Sequence, residues 1–367
     1  MEKIKRIIFY IFKPLNPVDV VDGTSRDSFT LTDRFLDLIN GNYKQVLLII
    51  KHIILLFLSI FYLPIALILF FKKYKFLRIN YWQYGAPSQE IGTIIKFLKF
   101  SKFNTKKLIY LSPKWISQTS ESNKLFKSEI IVIENFFLYL ILLPFLMINY
   151  ISMKPYLTDS SHVNSKYNLI NNIHEIYERS FEIFKIKKIP KKIFKKFNLN
   201  KKKYIVLNIR ENNEYFSERS VAKINNYKKT INYYLKKKIK IIRILNRNDT
   251  KIKIYRKGYV ELLGNEVDLY DQISLFKFAK FAIVSQSGPA SYGCILDTPF
   301  LLVNSIDHHT NLVPKKSDLI IYKKINPKYF KNKLKYKKLK YLDNTSNQIL
   351  NAAIKIENKL KNKNKHI

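Results

Sequence analysis

The stretch that most constrains this chain lies between two short apolar runs. Phe281-Ala-Ile-Val-Ser285 is followed by the polar loop Gln286-Ser287-Gly288-Pro289, a short helical segment, Thr298-Pro299, and then Phe300-Leu-Leu-Val303. Short apolar runs bounded by turn residues read as strands, so the order is strand, tight loop, helix, strand. Pro289 suits the first helical position, and Ser287 or Gly288 suits the cap before it. A helix N-terminus offers backbone N–H groups and a positive dipole end to an anion. A loop at the carboxyl end of an α/β strand is also where such folds keep their ligands. Ser285, Ser287 and Gly288 therefore point to a site for a phosphorylated small molecule. Plain capping of the helix accounts for the same residues equally well.

The strand–helix alternation extends on both sides of this loop. Tyr204-Ile-Val-Leu-Asn-Ile209 reads as a strand ending at Arg210, followed by a helix from about Lys223 to Lys236 and a strand over Lys240–Leu245. Asp268 caps a helix over Leu269–Lys280. Earlier in the chain, a strand over Leu77–Tyr84, a turn at Gly85–Gly92, a helix over Thr93–Phe100 and a strand over Leu108–Leu111 form a βαβ unit. The expected fold is α/β, with two Rossmann-like domains and an N-terminal apolar helix that associates with a membrane. The expected organisation is a basic, turn-rich segment over 1–44, the membrane-associated helix over 45–75, a first Rossmann-like domain with connecting helices over 76–199, a second over 200–345, and a basic tail over 346–367, with the Lys- and Asn-rich residues 324–367 forming a basic helix that frays into that tail.

The membrane expectation rests on Ile53–Phe71, which are 19 residues without a charge. A helix of that length spans about 28 Å, close to a bilayer's hydrocarbon core. Pro64 allows a kinked or in-plane segment instead. Lys72, Lys73 and Lys75 follow it, and the positive-inside tendency then puts the bulk of the chain in the cytoplasm, at the inner membrane. A second apolar run, Phe136–Ile148, is too short to span comfortably and reads as an in-plane or buried helix.

The net charge is +39, from 66 Lys and Arg against 27 Asp and Glu. Such a charge fits an anionic partner, whether nucleic acid, membrane or phosphorylated substrate. The excess of Lys, Ile, Asn, Tyr and Phe over the 8 glycines also fits compositional drift. The basic residues are dispersed and carry no nucleic-acid-binding signature, so no nucleic-acid partner is expected. Cys294 is the only cysteine, which rules out an intrachain disulfide and fits a reducing compartment. Among six histidines only His308 and His309 are neighbours, and adjacent positions make poor co-ligands. No Asp-x-Asp pair occurs to hold a cation against a diphosphate. No metal and no resident cofactor are expected.

Arg210 closes the first strand of the second domain, and Arg219 lies nine positions on. Guanidinium forks match phosphate oxygens, so two of them beside the 285–288 loop make a diphosphate clamp. Tyr227, at the start of the following helix, either packs that helix or reaches a ligand. Asp271 either completes the Asp268 cap or reaches a sugar hydroxyl.

The elements Asn208-Ile-Arg210, Glu218-Arg-Ser220, Ile224-Asn-Asn-Tyr227, Ile241-Ile-Arg243, Leu269-Tyr-Asp271, Ser285-Gln-Ser-Gly288 and Val303-Asn304 occur in that order. Together they resemble the C-terminal half of a bacterial glycosyltransferase family of GT-B type, distantly similar to fucosyltransferase-like folds. The resemblance covers about residues 200–325, with a fainter match over 75–115. It implies metal-independent transfer of a sugar from a nucleotide-sugar donor to a cell-envelope glycan or glycolipid. It also implies a phosphate-binding role for Arg210 and a donor-loop role for Ser287 and Gly288. Arg210 then stabilises the leaving phosphate, and if the reaction inverts Glu90 in the Gly85–Gly92 loop is the candidate general base, the alternative being a carboxylate that only complements the dipole at a helix N-terminus. The chain departs from the pattern at Leu245-Asn-Arg-Asn248, where a glycine is expected, and in the glycine-poor 286–293 loop. A non-catalytic membrane scaffold of the same fold and a basic nucleic-acid binder are the competing readings.

Overall fold

A computed structural model of the 367-residue chain describes residues 39, 50, 53–54, 57–58, 60–77, 91–92, 94–95, 104–113, 123–148, 151–153, 191–211, 222–245, 249, 251–252, 254, 257–263, 267–285, 287–305, 317–325 and 341–363. The chain divides into two compact units, Met1–Asn168 and Leu169–Ile367.

In the first unit, helix α1 (Leu63–Phe71) leads into strand β1 (Lys75–Leu77). Strands β2 (Leu108–Leu111), β3 (Ile131–Ile133) and β4 (Ser152–Met153) join it in a parallel sheet of order β3-β2-β1-β4. Helix α2 (Asn123–Phe126) precedes β3, and helix α3 (Phe136–Leu142) follows it. The Asn135 side chain caps α3 by accepting from the Leu138 N–H. At Leu143 the coil tightens to a 3-10 turn through Met147, because Pro144 has no N–H to continue the α-helical ladder. The run Phe136–Ile148 is thus a broken helix with Tyr139, Leu143, Phe145 and Leu146 buried. Among the described residues no helix is long and apolar enough to cross a membrane.

The second unit holds helix α4 (Lys191–Lys196), then strands β5 (Tyr204–Asn208), β6 (Lys240–Leu245), β7 (Tyr259–Leu263), β8 (Phe281–Ser285), β9 (Phe300–Ser305) and β10 (Leu319–Tyr322). The strands form one parallel sheet of order β10-β9-β8-β5-β6-β7. Numbered within the unit, that order is 3-2-1-4-5-6, the Rossmann order, with its reversal between β5 and β8. Strands buried on both faces need apolar residues at every position, and β5 and β8 are buried throughout. On one face, helix α5 (Lys228–Lys236) and helix α7 (Ser346–Lys363) place Ile231, Tyr234, Ile349, Ala353 and Ile356 against Ile205, Leu207, Ile283, Leu301 and Val303. On the other, helix α6 (Leu269–Phe278) stacks Phe276 on Phe300 at 5.8 Å between ring centroids. Tyr204 Oη donates to the Leu275 carbonyl at 2.7 Å on the same side.

The expected strands over 108–111, 240–245 and 281–285 stand where the sequence places them, and Asp268 caps α6 through its side chain. Strands β3, β4, β7 and β10 are additional. The helix expected from Lys223 begins as a 3-10 turn over Ile224–Tyr227. The Lys- and Asn-rich stretch expected to end as a basic helix and a tail is helical over Ser346–Lys363, and this helix completes the core of the second unit.

Candidate anion-binding site

Where the strand order of a doubly wound sheet reverses, the loops leaving the two central strands part and open a crevice at their carboxyl ends. Here those strands are β5 and β8, with Asn208 in register with Val284. The chain leaves β5 through Ile209 and Arg210 and leaves β8 through Ser285 towards Ser287. The Arg210 backbone N–H donates to Ser285 Oγ at 2.8 Å, which pins the two exits together. Ser287 Oγ lies 3.2 Å from Asn208 Oδ1 and 3.1 Å from the Ser285 carbonyl oxygen, one hydroxyl proton serving both. Asn208 Nδ2 in turn donates to the Ile244 carbonyl at 3.1 Å. Four polar residues thus cross-link the switch point, and Asn208 and Ser285 do so from fully buried positions.

Arg210 is the half-buried cation of the group. Burial lowers its pKa from the ordinary value, and the Asp249 carboxylate opposes that shift. A guanidinium so far above neutrality stays charged, and its partial desolvation strengthens its pull on an anion. The next residue is held firmly. Glu211 donates its backbone N–H to Asp249 Oδ1 at 3.3 Å and accepts from the Ile224 N–H at 3.0 Å. Its carboxylate also accepts from Arg243 Nη2 at 2.8 Å, while Arg243 Nη1 donates to Glu261 Oε1 at 2.9 Å. Arg243 is fully buried in β6. Burial alone opposes its charge, but Tyr259, Glu211 and Glu261 outweigh that and raise its pKa. This buried ion triad fixes the backbone that carries Arg210.

The loop after β8 differs from expectation. Residues Gly288–Cys294 form a 3-10 helix, not an α-helix, and the Ser287 side chain does not cap it. Pro289 has no N–H, and the Ala290 N–H is bonded to the Ser287 carbonyl at 3.0 Å. A short 3-10 helix that has lost two of its leading donors in this way makes a poor anion site by itself. Among the described residues at the switch point, the positive side chain is Arg210.

Of the other sequence-predicted residues, Tyr227 is fully buried in the core of the second unit, within 3.3 Å of Asn304 Nδ2. It packs the helix, and burial raises its pKa far above the ordinary value. Asp271 sits in the first turn of α6 with its N–H held by Asp268 Oδ1 at 2.7 Å. That geometry is the helix cap. Glu90 and Arg219 lie outside the described residues. Asn208, Asp249 and the Arg243 triad were missed as site residues. A lone arginine inside the apolar run Lys240–Leu245, with Glu261 inside Tyr259–Leu263, is the signal that marks the triad. Among the described residues no group of three or more His, Cys, Asp and Glu side chains is placed to hold a metal ion.

The second unit is therefore a Rossmann-ordered α/β module with a cationic switch point. No protein-family model and no curated protein matches the chain. Solved structures similar to it include the glycosyl transferase family 9 protein of Veillonella parvula DSM 2008, with a TM-score of 0.48 and 11% identity over 72% of this chain and 94% of that one. The E. coli ADP-heptose lps heptosyltransferase II is similar with a TM-score of 0.48 and 11% identity over 78% of this chain and 99% of that one.

Proposed function

We propose that the chain is a glycosyltransferase of GT-B type that takes a sugar from a nucleotide-sugar donor and places it on a cell-envelope glycan or glycolipid. The supporting observation is the convergence of Asn208, Arg210, Ser285 and Ser287 at the reversal point of the second sheet. A diphosphate fits there because Arg210 supplies a partly desolvated charge, and the Asn208, Ser285 and Ser287 side chains hold together the two strand exits that carry it. Attack of the acceptor hydroxyl on the anomeric carbon breaks its bond to the β-phosphate oxygen, and negative charge builds on that oxygen. Arg210 stabilises this charge in the place a cation holds in metal-dependent transferases. Arg219 is a second phosphate contact and Glu90 the general base on this reading. The reading also places both units on the cytoplasmic side of the inner membrane.

The test is a thermal-shift screen against ADP, GDP, UDP and CMP with EDTA present. One nucleoside diphosphate raises the melting temperature and names the donor class. Arg210→Ala then weakens that binding by at least about tenfold, as loss of a charge-assisted contact of roughly 1.5–3 kcal/mol requires. A cooperative melt that no nucleotide moves would overturn the proposal in favour of the non-catalytic scaffold.

A further inference from the structure

Most apolar side chains of the first unit's leading helix face solvent. Leu63, Ile65, Leu67, Ile68, Phe70 and Phe71 of α1 are exposed, and Ala66 is its one buried residue. Just upstream, the helical residues Ile53, Ile54, Phe57, Leu58, Ile60 and Phe61 are exposed as well. Tyr62, Ala66 and Leu69 form the one packed face, and the exposed positions cover more than half of the circumference. A folded protein partner covers one side of a helix, whereas hydrocarbon covers an apolar face this wide. The occupant that fits is a lipid bilayer.

A second apolar face adjoins the first. Phe137, Leu138 and Ile141 of α3 are exposed at helical spacing, Phe137 by 73%. The link between the two is aromatic. Phe145, at the end of the same broken helix, meets the Tyr62 ring at 5.8 Å and stacks on Phe76 of β1 at 5.5 Å. Two helices without a polar outer face are thereby anchored to one sheet. Exposed Lys72 and Lys73 stand where α1 ends, in a chain of net charge +39. Their charge complements anionic headgroups.

The helix is interrupted at Tyr62, two residues before Pro64, so α1 itself is only nine residues long. That is about 13 Å of helix, less than half of a bilayer's hydrocarbon core. We propose that α1, the helical residues just before it and the outer face of α3 form one membrane-docking surface that lies within a single leaflet of an anionic bilayer. This inference does not depend on the transferase reading.

Flotation of the full chain with phosphatidylcholine vesicles, with and without phosphatidylglycerol, tests it. The protein floats, and more strongly with phosphatidylglycerol. The double variants Ile65→Glu/Ile68→Glu and Phe137→Glu/Ile141→Glu each lower the vesicle partition coefficient by about tenfold or more, since a carboxylate opposes insertion. Both keep the parent's melting temperature, because every substituted side chain is exposed. Protease added outside sealed vesicles removes an N-terminal tag and a C-terminal tag alike. Flotation unchanged by either variant would overturn the docking surface, and so would variants that dissociate a dimer by light scattering while the parent ignores vesicles. A protected N-terminal fragment would overturn the single-leaflet geometry.

Discussion

Lys73, Lys238 and Asn198 all adopt left-handed backbone angles, with φ of 60°, 59° and 48°. Each follows a helix end and closes the same pair of bonds. The Ile239 N–H reaches the Tyr234 carbonyl and the Lys238 N–H the Leu235 carbonyl, both at 3.0 Å. This is the Schellman closure, a position that usually holds glycine. A chain with so few glycines bears the steric cost of a β-carbon there instead. Lys238 is exposed and its side chain is dispensable, so Lys238→Gly stabilises the protein by about 0.5–1 kcal/mol in urea titration. Lys236→Gly, at the last helical position, does the opposite by a smaller amount. Arg243 gives the larger effect. Arg243→Met leaves Glu211 and Glu261 without their buried cation and costs roughly 3–5 kcal/mol in the same titration. At this scale the site was half legible. Arg210, Ser285 and Ser287 stand at strand ends, where local pattern marks them. Asn208 and Arg243 act through partners on other strands, which no local window contains.

Helix α7 shows what composition conceals. Its lysines and asparagines read as a basic helix fraying into a tail, yet Ile349, Ala352, Ala353, Ile356 and Leu360 recur at helical spacing and meet the core. Charge fastens the helix too. Glu357 is buried, with Lys280 at 2.5 Å and Lys237 at 3.3 Å. Burial works against its carboxylate, but the two lysines prevail and lower its pKa from the ordinary 4.5. A folded pKa below the unfolded one adds stability that is complete above about pH 4.5 and is lost as pH falls through the folded value. Urea midpoints measured from neutral to acid pH fall for the parent, and Glu357→Gln flattens part of that fall. Equal slopes for the two proteins would show that the lysine contacts carry no net weight. Strands buried on both faces were the easiest elements to read, because every position is apolar. β7 and β3 escaped because they are only partly buried and β7 carries Glu261.

The chain as a whole repeats one plan. The first sheet runs 3-2-1-4 in its own strands and the second 3-2-1-4-5-6, so each unit has a core and a reversal point of its own. The alternation of strands and helices made that doubled α/β plan readable. The order of strands was not readable, because pairing across a sheet is set by long-range packing. Every partner described at the Arg210 site lies within Leu169–Ile367. A fragment of those residues therefore melts cooperatively and keeps the nucleotide-induced shift of the full chain. A shift that appears only with the full chain would mean that the first unit completes the donor site. The position of α7 has a consequence for synthesis. All six strands of the second sheet are translated before the helix that closes one of its faces. Parallel strands already assemble slowly because their contacts are distant in sequence. On the ribosome, Leu301 and Val303 emerge with no Ile349 or Ile356 yet made to cover them. The speed of translation between Ser305 and Ser346 thus sets how long that face stays open to other nascent chains, and a chaperone that holds it there raises the yield of folded protein.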